Sequence, residues 1–213
     1  EVVPAIRRRH PGLTVMWVED KTEPLVGSLG SGALDAVVLA LEADIGDLER
    51  EVIAKDPFVL AAPPDHPLAR PTSPVALEEL RGTDILLLDD GHCFRDQVLS
   101  FCSTSKVREL SFRATSLSTL AQMVAGGAGV TLLPRLAVST ENRRGELTVW
   151  RFVEPAPHRT LALVWRRRSP LGTGLKQVAA TLREAYLGAE PRLDKALRDA
   201  APRAVGRPAS RRA

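Results

Sequence analysis

Short apolar runs alternate along this chain with amphipathic stretches, and glycine and proline punctuate them. Val2, Val3 and Ile6 recur at helical spacing from the first residues, and His10-Pro11-Gly12 stops that helix. Leu13 to Val18 predicts a strand. Thr22 stands where it would cap a short helix with Leu25, Val26 and Leu29 on one face, ended by Gly30 and Gly32. Ala36 to Leu41 is a continuous apolar run, the pattern of a strand covered on both faces in a parallel sheet. Together these pieces predict a β-α-β unit. A strand at Phe58 to Ala62 then runs into Pro63-Pro64 and His66-Pro67, too rich in proline to continue either element, which predicts a crossover between two lobes.

Beyond the prolines the alternation restarts. A short helix holds Leu77 and Leu80, a strand spans Ile85 to Leu88, and Asp89-Asp90-Gly91 turns the chain into a segment with two cysteines. Ser116 or Thr115 caps a helix with Leu117, Leu120 and Val124 at helical spacing, closed by Gly126-Gly127, and Val130 to Leu133 is a strand halted by Pro134. Thr148 to Val153 and Thr160 to Trp165 predict two further strands, and Ser169-Pro170 opens a helix through Leu175, Val178 and Leu182. With no local partner, that last helix must return to the first lobe. The expected architecture is a two-lobed α/β domain: residues 1–61 and 162–190 as one discontinuous lobe, 62–161 as the other with the cysteines. From Pro191 onward Ala, Arg and Pro dominate, so residues 191–213 predict a basic, largely disordered tail after one frayed helix.

Charge sharpens the picture once it is placed along the chain. The 213 residues carry a net +3 with a pI near 9.2. Residues 191–213 hold six Arg and one Lys against two Asp, which leaves 22 basic and 24 acidic groups in residues 1–190. The body is slightly acidic and poorly suited to holding phosphates. No apolar run approaches the ~20 residues of a membrane span. Two cysteines make no disulfide framework, and without a secretory signal the expected setting is a reducing cytoplasm. A domain that opens inside an uncapped helix also predicts a portion upstream of Glu1.

The cysteine segment carries the chemistry. In Asp89-Asp90-Gly91-His92-Cys93-Phe94-Arg95-Asp96-Gln97-Val98-Leu99-Ser100-Phe101-Cys102, Asp90 is a candidate N-cap that puts Cys93 in the first turn of a helix. Unpaired backbone N–H groups and the helix dipole favour a thiolate there, with His92 and Arg95 as nearby positive charges. Phe94, Val98 and Phe101 form one apolar face. Nine residues of straight helix put the two cysteine Cα atoms ~13.5 Å apart on opposite faces. A disulfide needs them within ~7 Å. If both thiols react, the helix between them must come undone, and oxidation becomes a switch. Two unrelated buried thiols are the plain alternative.

Gly91-His92-Cys93-Phe94-Arg95-Asp96-Gln97 with Cys102 resembles the redox segment of the hydrogen-peroxide-sensing OxyR regulators of the LysR type. Phe112-Arg113-Ala114-Thr115-Ser116-Leu117, Gly129-Val130-Thr131-Leu132-Leu133-Pro134 and Arg159-Thr160-Leu161 resemble the same family's regulatory domain, in the same order, and the likeness extends from Pro4 to Leu197. It implies a periplasmic-binding-protein-like, two-lobed domain, preceded by a winged helix-turn-helix and a linker helix that this sequence lacks. Cys93 matches the peroxidatic cysteine and Cys102 the resolving one. Peroxide oxidises the first to a sulfenic acid, and the second condenses with it. Thr22 matches a threonine that contacts peroxide. Gln97 and Arg166 match polar groups near that pocket, and His92, Arg95 and Asp96 are grouped with it. A second threonine of the family's pocket lies before Glu1.

The implied function is redox sensing by a transcription regulator, with hydrogen peroxide as effector and a homodimer or homotetramer as assembly. Promoter DNA is bound only through the missing N-terminal domain, thiol reductants reset the switch, and no cofactor, metal or membrane is needed. Two other readings compete. One is a LysR-type effector domain that binds a small organic ligand between its lobes, its cysteines incidental. The other is a thiol peroxidase, disfavoured because no Cys-x-x-Cys reductant motif is present, so no enzyme is expected. A zinc site built on Cys93, Cys102 and His92 lacks a fourth ligand at the usual spacing.

Overall fold

The computed structural model describes residues 2–43, 45–68, 74–90, 93–102 and 107–202, and of residues 93, 94, 102 and 113 only the backbone. Helices α1 (Val2–Arg9) and α2 (Thr22–Ser31) precede strands β1 (Ala36–Ala40) and β2 (Leu48–Ala62). A 3-10 turn at Leu77–Leu80 leads to β3 (Asp84–Leu88), α3 (Cys93–Cys102), β4 (Arg108–Ala114) and α4 (Leu117–Ala125). Then come β5 (Thr131–Pro134), α5 (Arg135–Glu141), β6 (Thr148–Arg151), β7 (His158–Arg166) and the long α6 (Gly172–Asp199).

The long strand β2 organises the molecule. Its first part pairs antiparallel with β7, from Leu48↔Arg166 to Pro57↔His158, and β7 pairs in turn with β1. From Phe58 onward β2 changes partners and lies between β5 and β6, both antiparallel. The expected parallel unit around Ala36 to Leu41 is therefore corrected: β1 runs antiparallel to β7, and Val38 is 45% exposed, so its run is not covered on both faces. Parallel pairing does occur between β3 and β4, joined through α3, and between Ile85 and Val130. Gly129 permits that second approach. Its φ is +146°, and a Cβ there would lie 2.6 Å from the Asp84 carbonyl oxygen.

Two apolar cores result. One gathers β3, α4, β5, β6 and the second half of β2, with Leu60, Leu86, Leu120 and Leu132 fully buried. The other packs Ile6, Trp165, Leu182 and Tyr186 between α1, β7 and α6, with Leu29, Val37 and Val164 in a smaller cluster beneath α2. Helix α6 touches both: Leu182 and Tyr186 belong to one core and Leu197 to the other. This corrects the expectation of a tail from Pro191. The helix passes through Pro191 to Asp199, and Tyr186, Ala189, Leu193 and Leu197 keep an apolar stripe that the charged residues between them disguise. Pro191 removes the N–H that would bond the Leu187 carbonyl, but Leu187 is exposed and water can take that place. The remainder of the expected tail, 203–213, lies outside the described residues.

Leu13 to Val18 is the other departure. The segment has strand-type residues yet forms no strand, and Met16 stands 89% exposed. Strand propensity yields a strand only where a neighbour completes the ladder, and among the described residues none lies beside it.

Candidate functional site

Helix α3 begins at Cys93 and ends at Cys102. Val98 is fully buried against the β3 core, and Phe101 packs on Phe58 with ring centroids 5.4 Å apart. This side of the helix matches the expected apolar face. The thiols of Cys93 and Cys102, the Phe94 ring and all of His92 lie outside the described residues. Asp90 does not sit at the expected N-cap. It precedes the first helical residue by three, and its carboxylate turns instead to the Arg95 Nε at 2.9 Å.

Arg95 is 7% exposed and doubly held, by Asp90 and by a 2.8 Å bond from its Nη2 to Glu109 Oε1 on β4. Burial works against its charge, but the bond and charge of Glu109, and then Asp90, outweigh that and keep the guanidinium above its ordinary pKa. Two carboxylates thus absorb the charge that sequence alone offered to a thiolate. Arg95 is better described as a strut between the redox helix and β4.

Gln97 lies one turn after Cys93 and is 4% exposed, with both amide atoms buried and without a hydrogen-bond partner; Arg95 Nη1 is in the same condition. Such groups cost free energy unless a small polar molecule meets them. Asp96 is exposed in the first turn of α3, where a negative charge suits the helix dipole.

Thr22 is half-buried and is the first residue of α2, not its cap. The cap position belongs to Lys21, whose ammonium donates a 2.8 Å hydrogen bond to the Asp90 carbonyl. That bond joins the N-terminus of α2 to the loop entering α3. Arg166 sits elsewhere: its Nη1 donates to the Leu29 carbonyl at 2.7 Å and the Leu34 carbonyl at 2.5 Å, at the far end of α2 from Thr22. The structure thus links the start of α2, where Thr22 lies, with Arg95 through Lys21 and Asp90, with Gln97 two residues beyond Arg95 on α3, and places Arg166 about 10 Å further along α2. Lys21 and Glu109 escape sequence reading, because each matters only through a partner distant in the chain. Among the described residues no cluster of His, Cys, Asp and Glu fits a metal ion, and no helix is long and apolar enough to cross a membrane.

The LysR substrate binding domain family matches residues 1–187. The "DNA-binding transcriptional dual regulator OxyR" of Escherichia coli K12 is 39% identical over 200 residues, covering 93% of this chain and 64% of the relative. The chain thus spans less than two thirds of that relative's length. A structure titled as the reduced form of OxyR is 40% identical with a TM-score of 0.77, covering 85% of each chain. A mutant Corynebacterium glutamicum OxyR described as H2O2-bound is 30% identical with a TM-score of 0.84, covering 91% of this chain and 62% of that one.

Proposed function

This chain belongs to the LysR substrate-binding-domain family, and from that premise we propose that it is the peroxide-sensing regulatory domain of an OxyR-type transcription regulator. The observation that carries this reading is the position of the two cysteines at opposite ends of one ten-residue helix. Cys93 starts the helix, where its dipole favours a thiolate. The thiolate sulfur attacks one oxygen of hydrogen peroxide: an S–O bond forms, the O–O bond breaks, and the leaving hydroxide takes a proton to become water. Cys102 then attacks the sulfenic sulfur, displacing a second water and closing a disulfide. Peroxide is reduced to two waters while two thiols become one disulfide, and a thiol reductant reverses the change.

Closing that bond requires the two Cα atoms to approach from ~13.5 Å to within ~7 Å, so α3 must unwind. Unwinding carries Arg95 away from Glu109 and draws Val98 and Phe101 out of the core. The local chemistry thereby reaches β4 and the packing behind it. The unpartnered amide of Gln97 supports a small polar guest beside Cys93, and hydrogen peroxide both donates and accepts.

In this reading β1, the first part of β2 and β7 form one lobe with α1 and α2, while β3 to β6 with the second part of β2 form the other, and α6 touches both. An upstream winged helix-turn-helix contacts promoter DNA, the assembly is a homodimer or homotetramer, and the cytoplasm keeps the resting thiols reduced. The domain senses and does not turn over as an enzyme. Non-denaturing mass spectrometry after one equivalent of peroxide tests it. The wild type should lose two hydrogens, Cys102→Ser should gain one oxygen, and Cys93→Ser should do neither. No loss of mass in the wild type, or a loss that persists in Cys102→Ser, overturns the switch.

A further inference from the structure

Lys21 is a poor residue for the place it occupies. A helix N-cap is favoured by a side chain that accepts a hydrogen bond from the first turn, and the positive end of the helix dipole disfavours a cation. The Lys21 side chain can accept nothing, makes no cap bond, and brings an ammonium to that end of α2. Asp20 and Glu23 offset part of the charge, Asp20 through a 2.7 Å bond from the Lys21 backbone N–H and Glu23 from within the first turn. Local helix physics therefore gives no reason for lysine here. The reason lies 69 residues away, where its Nζ meets the Asp90 carbonyl at 2.8 Å.

Asp90 is a junction. Its carbonyl takes Lys21 and its carboxylate takes Arg95, which also grips Glu109. One continuous chain of bonds thus runs from the N-terminus of α2, beside Thr22, through Asp90 and Arg95 in the first turn of α3 to β4. Arg95 joins two parts of the same redox unit. The Lys21 bond alone among these crosses from α2 to that unit. A local rule broken at one end of a long-range bond marks a position kept for something other than helix stability.

We infer that Lys21 is a positioning residue for peroxide oxidation of Cys93, a clasp that holds the α2 terminus against the loop entering α3 and so fixes the two walls between which peroxide is received. The inference rests on the sensor reading above. It separates the two chemical steps. The first, attack on peroxide, needs both walls in register. The second, closure with Cys102, needs α3 to unwind, which a clasp on its entry loop does not assist.

The experiment is rapid-mixing kinetics with peroxide on the domain carrying Lys21→Met or Lys21→Arg, following sulfenic acid in a Cys102→Ser background and disulfide closure with Cys102 present. Sulfenic acid formation should slow about tenfold in Lys21→Met and recover most of its rate in Lys21→Arg, while closure stays unchanged or quickens. Equal slowing of both steps, with Lys21→Arg as impaired as Lys21→Met, would mean a merely structural lysine and overturn the clasp. So would a Lys21→Met domain that forms sulfenic acid at the wild-type rate. A wild type that forms no sulfenic acid at Cys93 brings down the sensor reading itself, a result distinct from either.

Discussion

Two charged networks tie distant segments of this chain together, and they are built on opposite terms. At the point where β2 changes partners, Asp56 is completely buried and accepts hydrogen bonds from the Leu136 N–H at the start of α5 and from Nε of Arg159 on β7, whose Nη2 is ion-paired with the same carboxylate at 2.9 Å. Nearby, Arg135 of α5 grips Glu190 and Asp194 of α6. At the redox helix the bonds are as short, but Asp90 is 69% and Glu109 32% exposed, and only Arg95 is buried. The first network holds β2, β7, α5 and α6 whatever α3 does. The second exists only while α3 is a helix. Burial gives permanence to one, and partial exposure leaves the other free to dissolve, because water can take up the carboxylates that Arg95 releases.

The largest expected effect tests the permanent network. Asp56→Ala strands the half-buried Arg159 guanidinium and a helix N-terminal N–H, and should cost about 3 kcal/mol by urea unfolding of the reduced domain. The same loss should appear in the oxidised domain, since nothing in the disulfide step touches Asp56, Arg159 or Leu136. A loss confined to one redox state would break the distinction between the networks.

Arg95→Met probes the conditional one. It removes a buried side chain from two carboxylates that water can reach, so about 1 to 3 kcal/mol should be lost from the reduced domain. In the disulfide form, with α3 unwound, the difference should shrink toward zero. Equal destabilisation of both forms would show that the Arg95 strut survives oxidation.

How far each network can be read from sequence follows from the same contrast. The redox helix is legible because its information is local: a turn, two cysteines at fixed separation, and Val98 and Phe101 on one face. Helix α4 is legible for that reason too, and Ser116 does cap it by accepting from the Thr119 N–H. The first half of β2 escapes because Leu48 to Asp56 groups charged and apolar residues in threes, with neither strict alternation nor a long apolar run, and β4 because only Ala114 is deeply buried among its described side chains. Pro134 has the look of a stop, whereas it ends β5 and also stands as the N-cap of α5. Leu13 to Val18 has the pattern of a strand without the neighbour that makes one. Lys21, Asp56 and Glu109 have partners 69, 103 and 14 residues away, so no window along the chain reveals them.

The smallest expected effect concerns pH and asks whether burial or pairing dominates at Asp56. Burial raises its pKa above the ordinary 3.8, while Arg159, the Leu136 N–H and Arg135 pull it back without cancelling the rise. A carboxyl whose folded pKa is raised contributes its full share of stability below the unfolded pKa and loses it as pH rises through the folded pKa. Asp56→Asn cannot titrate, and the remaining acids titrate alike in both proteins. The stability of the wild type relative to Asp56→Asn should therefore improve as pH falls from neutrality toward 4, and each tenfold gain in proton affinity on folding corresponds to about 1.4 kcal/mol of that improvement. Urea titrations of both proteins over that range measure it. A gap that moves the other way would mean that Arg159 compensates fully for burial, making the joint an ion pair that acid weakens.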